Sequence, residues 1–404
     1  MIIGVIGGGA SGMAAAIAAA QNPQNQVIVL ERQSRVGKKL LSTGNGRCNL
    51  TNMHALERGY HGEDTDFPLF ALREMSPEKT LSWFRKLGLY TVCEPCGRVY
   101  PYSDQANSVV DVLRFALQKS NITLCTGYDV QKIRKDEKGF TIDNGETTVF
   151  CDRLIVACGG LAGTKLGGSM AGYKLLGKLG HKATRLRPAL VQLKSVWKGV
   201  SALKGVRCNC AVQILKDESV FSQSVGEIQF TDYGLSGPVI FEVSRDVCYG
   251  AGTWRAMLDF LPEMSGNALL EELLRRKETE LPAEELLTGV LHNRLGRVLT
   301  KAAGLRSDSL IKELSMQELE AVCANVKNFE IILDEPMGMD SAQVTAGGVY
   351  TRDFTPETME SKLVPGLYAC GEVLDVDGDC GGYNLQWAWS SGYLAGVSAG
   401  KENV

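Results

Sequence analysis

The sequence predicts an α/β fold in which one parallel-sheet domain is assembled from both ends of the chain around an insertion. Three observations predict it. Residues 1–31 read strand, glycine turn, helix, strand; residues 366–392 read strand, glycine turn, helix; and the stretch between about 188 and 340 has a different composition and periodicity. A strand–helix–strand order is the mark of a parallel crossover unit.

The elements follow in order. Met1–Gly7 is a short buried strand, Ala10–Gln21 an alanine-rich helix and Gln26–Glu31 (QVIVLE) a second apolar strand. Ser76-Pro77-Glu78 opens another helix, with serine at the N-cap, proline at the first helical position and an acid in the first turn. Trp83, Phe84 and Leu87 fall on its apolar side, and Gly88 stops it. Residues 122–150 alternate short β-rich pieces with charged turns, and CDRLIVACGG is a strand ending in Gly159-Gly160. From about 188 to 260 the pattern is β-like throughout, with Val, Phe and Thr between glycine-rich turns. From Pro262 to about Asn325 it is helical: Leu269, Leu270, Leu273 and Leu274 recur at helical spacing, and Ser315–Glu318 fits a capping box. After Asp340 glycine returns, GLYACGE forms a strand, and a helix begins near Leu385. Trp387 and Trp389 are two positions apart and cannot share a helix face, so one of them belongs to the core. The expected domains are 1–187 with 345–404, 188–261 with 327–344, and 262–326.

Composition narrows the function. The 404 residues are 44% hydrophobic and 22% charged, ordinary for a globular protein. Acidic residues outnumber basic ones 46 to 43, which gives no electrostatic case for nucleic acid or an anionic membrane. The 12 cysteines scatter along the chain, several inside apolar runs (Cys158, Cys370), which fits buried thiols in a reducing cytoplasm. Residues 1–20 carry no charge and match a membrane span in length, but no basic segment precedes them and Gly7–Gly9 break the run.

Gly7-Gly8-Gly9-Ala10-Ser11-Gly12 satisfies G-x-G-x-x-G, follows a strand, opens a helix, and has Glu31 at the end of the next strand, 19 residues past Gly12. Gly7 permits the tight turn, Gly9 lets backbone amides approach a diphosphate, and Gly12 lets the helix pack close. The helix amino terminus, at Ala10 and Ser11, presents N–H groups and a positive dipole end to the phosphates. Glu31, with Arg32 beside it, accepts from adenosine ribose hydroxyls, and its charge opposes a 2′-phosphate; the site suits FAD or NAD rather than NADP. Val36–Asn49 then places Lys38, Lys39 and Arg47 around Thr43-Gly44-Asn45-Gly46, a turn able to drape over an extended anionic ligand with Asn49 behind it. Near the other end, Gly371-Glu372 offers a carboxylate to a sugar-like ribityl chain. Gly382-Tyr383-Asn384-Leu385 runs into a helix whose amino end suits the pyrimidine end of a flavin.

Six ordered motifs carry a family resemblance: GGGASG, Gly37–Asn52, Gly97–Pro101 (GRVYP), Phe230–Pro238 (FTDYGLSGP), Thr345–Val349 (TAGGV) and Gly381–Gly392 (GGYNLQWAWSSG). Together they resemble the BaiN-type family of NAD(P)/FAD-dependent oxidoreductases over essentially the whole chain. The resemblance implies a discontinuous Rossmann-type FAD-binding domain with an inserted β-barrel-like domain and a small helical domain. It implies that Ser11, Glu31, Lys38, Lys39, Gly44, Val130 and Glu372 line a tightly bound, non-covalent FAD; Gly159, at the end of its strand, joins the expected cofactor site. The implied activity is NAD(P)H-driven reduction of a conjugated C=C bond in a steroid-like or other enone. The alternatives are an FAD amine oxidase that releases hydrogen peroxide, or a non-catalytic flavin-bound sensor. No second G-x-G-x-x-G follows a strand, so NAD(P)H is expected as a transient hydride donor.

Other chemistry is weaker in the sequence. Cys93-Glu94-Pro95-Cys96 is a C-x-x-C, read either as a redox dithiol or as two ordinary thiols. Cys208-Asn209-Cys210 lacks partners for zinc, and His54, His61, His181 and His292 show no ligand spacing, so no metal is expected. His181 follows a Leu-Gly pair at a helix end, where capping is the expected role. Tyr100, Tyr233, Tyr383 and Asp232 are candidates for proton donation to the reduced substrate.

Overall fold

The apolar runs become strands of one parallel sheet. β1 (Ile2–Ile6), β2 (Gln26–Glu31), β3 (Ile122–Thr126), β4 (Arg153–Val156) and β5 (Leu367–Ala369) lie in the order β5-β4-β1-β2-β3. Every adjacent pair is parallel. The central strands carry unbroken Val/Ile/Leu runs because both faces are covered: Ile3, Val5, Leu154, Ile155 and Val156 are fully buried. Strand order reverses at β1, and all five carboxyl ends emerge on one edge, which is where ligands of such sheets bind. The computed structural model describes residues 1–217, 219–249, 252–306 and 308–401. Its two units are Met1–Arg187 with Gln343–Val404, which holds this sheet, and Pro188–Ala342.

Two helices cover one another beside the sheet. The opening helix (Ala10–Ala19) is alanine-rich because the closing helix (Tyr383–Gly400) comes against its backbone. A Cβ on Gly392 would lie 2.3 Å from Ser11 O, and one on Gly396 would lie 2.2 Å from Ala15 O. Their carboxyl ends share a clamp: the buried Asn25 Nδ2 donates to Ala19 O (3.1 Å) and to Gly400 O (2.9 Å), and Arg153 Nη1 donates to Ala399 O (3.0 Å). These bonds satisfy carbonyls that a helix end otherwise leaves without partners.

Two expectations are corrected in this unit. Trp387 and Trp389 are both core, 1% and 0% exposed, where one was expected. The closing helix has partners on opposite sides, so both faces are interior. Trp387 Nε1 donates to Gly371 O (3.2 Å) and Trp389 Nε1 to Leu50 O (2.9 Å). His181 does not cap a helix with its side chain. Its backbone N–H closes the helix Ala171–Lys178 by donating to Leu176 O (3.1 Å), while the imidazole is buried, stacked on Phe354 and bonded to Ser361 Oγ (3.1 Å). The helix N-caps at Ser76 and Ser315 form as expected: Lys79 N–H donates to Ser76 Oγ, and Ser315 and Glu318 make the reciprocal pair of a capping box.

In the second unit six strands close an antiparallel barrel, in the order Leu193–Ser195, Gly234–Ser236, Ser219–Phe230, Arg207–Lys216, Trp254–Asp259, Phe329–Pro336. Alternation sends Cys210, Val212 and Ile214 inward. The β-like stretch is interrupted by a helix, Pro238–Tyr249, which the sequence reading missed. Its Val239, Ile240, Val243 and Val247 are β-branched, but their spacing is helical and they pack inward together. The helices Gly266–Arg275, Asn293–Ala302 and Met316–Lys327 follow, and Leu269, Leu273, Leu295, Leu299 and Leu319 share one apolar cluster with the barrel interior.

Candidate active site

The site grows from the turn after β1. Gly7 has φ +109, and a Cβ there would lie 2.4 Å from Ala157 O; a Cβ on Gly12 would lie 1.8 Å from Gly7 O. These two glycines serve packing. A Cβ on Gly9, or on Gly159 at the end of β4, meets nothing within 4 Å. Two glycines of the same carboxyl edge therefore face open space. The opening helix has no side-chain cap and no acid in its first turn, so the N–H groups and positive dipole at Ala10 and Ser11 suit an anion there.

Glu31 is fixed across this turn. Its Oε2 accepts from Gly8 N (2.6 Å) and its Oε1 from Gln33 N (2.6 Å). Beyond β2, Gly127 N donates to Gln33 O and Tyr128 N to Glu31 O, which brings the buried Val130 to the same edge of the sheet. Lys38 Nζ donates to Gln33 Oε1 (3.2 Å), and Arg32, exposed, donates to Gly167 O (2.9 Å).

The two ends of the chain meet at the next contacts. Lys39 Nζ pairs with Glu372 Oε2 at 2.9 Å, and Glu372 Oε1 accepts from Thr345 N (2.8 Å). Gly371 N donates to Ser391 Oγ (2.9 Å). Thr43 Oγ1 donates to Leu40 O, and Gly44, Asn45 and Gly46 take left-handed φ values of 56°, 56° and 85°. A Cβ on Gly44 would lie 2.8 Å from Asn49 N, so that glycine keeps the loop folded tightly. Asn49 is buried, and its Oδ1 has no hydrogen-bond donor among the described residues. Asn52 Nδ2 donates to Gly381 O (3.0 Å), while Gly382, at φ +106, lets the turn pass within 2.5 Å of Thr51 O as a Cβ would measure it. The helix starts at Tyr383, two residues before the expected start. Asn384 staples the turn through Gly378 N (2.8 Å) and Gly378 O (2.7 Å), and Leu385 packs against the core.

The proton-donor candidates divide between the units. Tyr100 and Tyr383 belong to the sheet unit; Tyr233 and Asp232 belong to the barrel unit. Tyr100 is buried, which raises its phenol pKa, and the Arg47 guanidinium lies 3.9 Å over its ring. Asp232 is exposed and paired with Lys204 (2.7 Å), which holds its carboxyl below the usual carboxylate range. Cys93 and Cys96 are exposed, whereas burial pushes the Cys48, Cys158 and Cys370 thiols up to about 12. Among the described residues no cluster of three His, Cys, Asp or Glu is arranged to hold a metal, and no helix is long and apolar enough to cross a membrane. One pair escaped the sequence reading: His61 Nε2 lies 2.7 Å from Asp379 Oδ1. The partners are 318 positions apart, so no local pattern announces them.

A parallel sheet with this glycine turn, in one chain with a six-stranded barrel, defines a Rossmann-type dinucleotide-binding protein. The chain belongs to the HI0933-like (BaiN) family, whose Rossmann-domain model matches residues 1–398. It is 40% identical over 403 residues to the 3-dehydro-bile acid delta(4,6)-reductase of Clostridium scindens, covering 98% of each chain. It is 30% identical over 394 residues to the ribosomal RNA dihydrouridine synthase of Escherichia coli, covering 96% of this chain and 95% of that one. Among solved structures, 3-ketosteroid delta1-dehydrogenase from Sterolibacterium denitrificans aligns over 98% of this chain and 99% of its own, with a TM-score of 0.50 at 13% identity, a likeness of fold alone.

Proposed function

We propose that this chain is an FAD-dependent reductase, driven by NAD(P)H, that saturates a C=C bond conjugated to a carbonyl in a small steroid-like enone. One observation carries the proposal: the end-to-end 40% identity to a reductase named for a 3-dehydro bile acid. The bond reduced when uridine becomes dihydrouridine is also conjugated to a carbonyl, so the second relative fits the same bond chemistry. A small molecule is favoured over RNA by the higher identity and by a net charge of -3.

The residues present fit FAD. Gly9 and Gly159 leave room at the helix amino end, and the buried Asn49 Oδ1 awaits a donor. Gly7, Gly9, Ala10, Ser11 and Gly12 would hold the diphosphate, with Glu31 and Arg32 toward the adenosine ribose. Lys38, Lys39, Thr43 to Gly46, Asn49, Val130 and Gly159 would follow the middle of the cofactor. Gly371 and Glu372 would take the ribityl chain, and Gly382 to Leu385 the pyrimidine end. Bound FAD supplies two-electron hydride chemistry. The chain supplies orientation, a dipole toward the pyrimidine end, and a proton for the substrate. We take 1–187 with 345–404 as the cofactor domain, 188–261 with 327–344 as the barrel domain and 262–326 as the helical domain.

Anaerobic reduction of the yellow protein tests the function. NADH or NADPH is expected to bleach the flavin, and a 3-oxo-4,6-diene steroid to restore its colour. Bleaching by a primary amine, with none by either nicotinamide, would replace the proposal with an amine oxidase.

A further inference from the structure

We infer that His61, held by Asp379, delivers the proton to the substrate α-carbon, a role that rests on the enone-reductase function proposed above. The pair is built into the turn that opens the closing helix. Tyr60–His61 bridges Asp377–Gly378 as a two-residue antiparallel pair, with His61 opposite Asp377 and Tyr60 opposite Gly378. Asp379 N donates to Gly59 O (2.8 Å), and Tyr60 OH donates to Tyr383 O (3.1 Å). A Cβ on Gly59 would lie 2.8 Å from Tyr383 Cε1 and 2.9 Å from Asp379 Oδ2, so a glycine there lets the three groups close up. The same turn is bound to the Gly37–Asn52 loop by Asn52 Nδ2 donating to Gly381 O. His61 is therefore anchored to the turn that leads into Gly382–Leu385, the segment assigned to the pyrimidine end of the cofactor.

The pair is also chemically ready. The His61 side chain is 35% exposed and that of Asp379 48%, so the ring is reachable yet anchored. His54 is more exposed and leans on Glu57 of its own turn; the His181 side chain is sealed, at 0% exposure; His292 accepts from Arg294 N to cap a helix. The titratable groups around His61 include Asp377 opposite it, Asp379, Tyr60 and Tyr383, with Glu63 two residues along and Asp375, which accepts from Glu63 N (3.1 Å), against Gly62. Addition of hydride to the β-carbon of an enone leaves an enolate. With Nε2–H donating to Asp379, the carboxylate fixes the orientation of the ring, and Nδ1 carries the transferable proton. The Nδ1–H bond breaks as the α C–H bond forms; the neutral ring then regains a proton from water. Across the cycle NAD(P)H is oxidised to NAD(P)⁺ and the C=C bond gains one hydride and one proton.

The test uses FAD-loaded protein and a 3-oxo-4,6-diene steroid. His61→Gln should slow reoxidation by the steroid about 100-fold or more beyond any effect on bleaching by NAD(P)H, and Asp379→Asn should do so to a smaller degree. Added imidazole should restore part of the rate in His61→Gly. Independently of turnover, the saturated 3-oxo product should slow carbethoxylation of His61 by diethyl pyrocarbonate and leave His54 unprotected. If His61→Gln fails to fold, His61→Asn, Asp379→Asn and the labelling experiment decide. An unchanged ratio of the two half-reaction rates in a folded His61 variant, with a wild type that turns over, overturns the donor role alone. A wild type that ignores the nicotinamide or the steroid overturns the function, and the donor role falls with it.

Discussion

The two kinds of glycine in the first turn separate by substitution. Gly9→Ala adds a methyl where nothing lies within 4 Å, at a residue with φ -80 and ψ -168 that alanine adopts without strain. The cost to the apoprotein is the poorer N-cap preference of alanine, about 0.5–1 kcal/mol. Gly12→Ala places its methyl 1.8 Å from Gly7 O, well inside van der Waals contact. Relief requires the opening helix to move by about 1.5 Å, a strain at or above the 1–3 kcal/mol typical of overpacking. That helix is already in backbone contact with Gly392 and Gly396, so the displacement spreads. In the proposed complex the order of effects reverses. The space beside Gly9 is where a diphosphate would sit, and its loss should weaken FAD by about 30-fold or more, equal to about 2 kcal/mol. Urea denaturation of apoprotein and quenching of flavin fluorescence on binding measure the two quantities. A Gly9→Ala protein that binds FAD as wild type does, or a Gly12→Ala apoprotein as stable as wild type, would refute this assignment of space.

Four further outcomes are expected. Asn25→Ala removes the two hydrogen bonds from Nδ2 to Ala19 O and Gly400 O, leaving Arg153 in place, and should cost about 2 kcal/mol in urea denaturation, from about 1 kcal/mol per hydrogen bond. Glu372→Gln keeps an acceptor for Thr345 N but loses the ion pair with Lys39; because both side chains are partly exposed (20% and 31%), FAD affinity should fall only about 5-fold by titration. Burial lowers the pKa of His181 below its ordinary value, so the unfolded state binds the proton more readily; its contribution is whole above about pH 6.5 and is lost as pH falls through the folded-state value. The stability difference between wild type and His181→Gln should therefore shrink from pH 7.5 to pH 5.5. Cys93 and Cys96 should react first with a thiol reagent in the native protein, and buried Cys48, Cys151 and Cys370 only after unfolding, as mapped by mass spectrometry.

Local chemistry makes much of both units readable in the sequence. The G-x-G-x-x-G turn, Glu31 at the end of its strand, the serine caps and the Leu269/Leu273 face all follow from spacing within one element. The helix Pro238–Tyr249 was hidden because its Val and Ile residues have β preference, and only their spacing betrays the helix. Tyr383 reads as turn in the sequence because two glycines precede it, whereas it is the first residue of the closing helix. Both tryptophans are buried because a second layer of helix covers the far side of the closing helix, which is a tertiary fact. Lys39 with Glu372, Asn52 with Gly381 and His61 with Asp379 are joined across more than 300 positions. Such pairs have no signature in either neighbourhood, so the residues could be named singly but not as partners.

The clamp at Asn25 has a consequence for synthesis. Its amide grips the last turn of a helix made some 375 positions later, and β5 beside β4 arrives almost as late. On the ribosome, the early strands and the glycine turn must wait with one flank of the opening helix uncovered until the final helix emerges. A nascent chain halted before residue 367 thus lacks a sheet strand and a helix partner, and should be recognised by chaperones and proteases as unfinished.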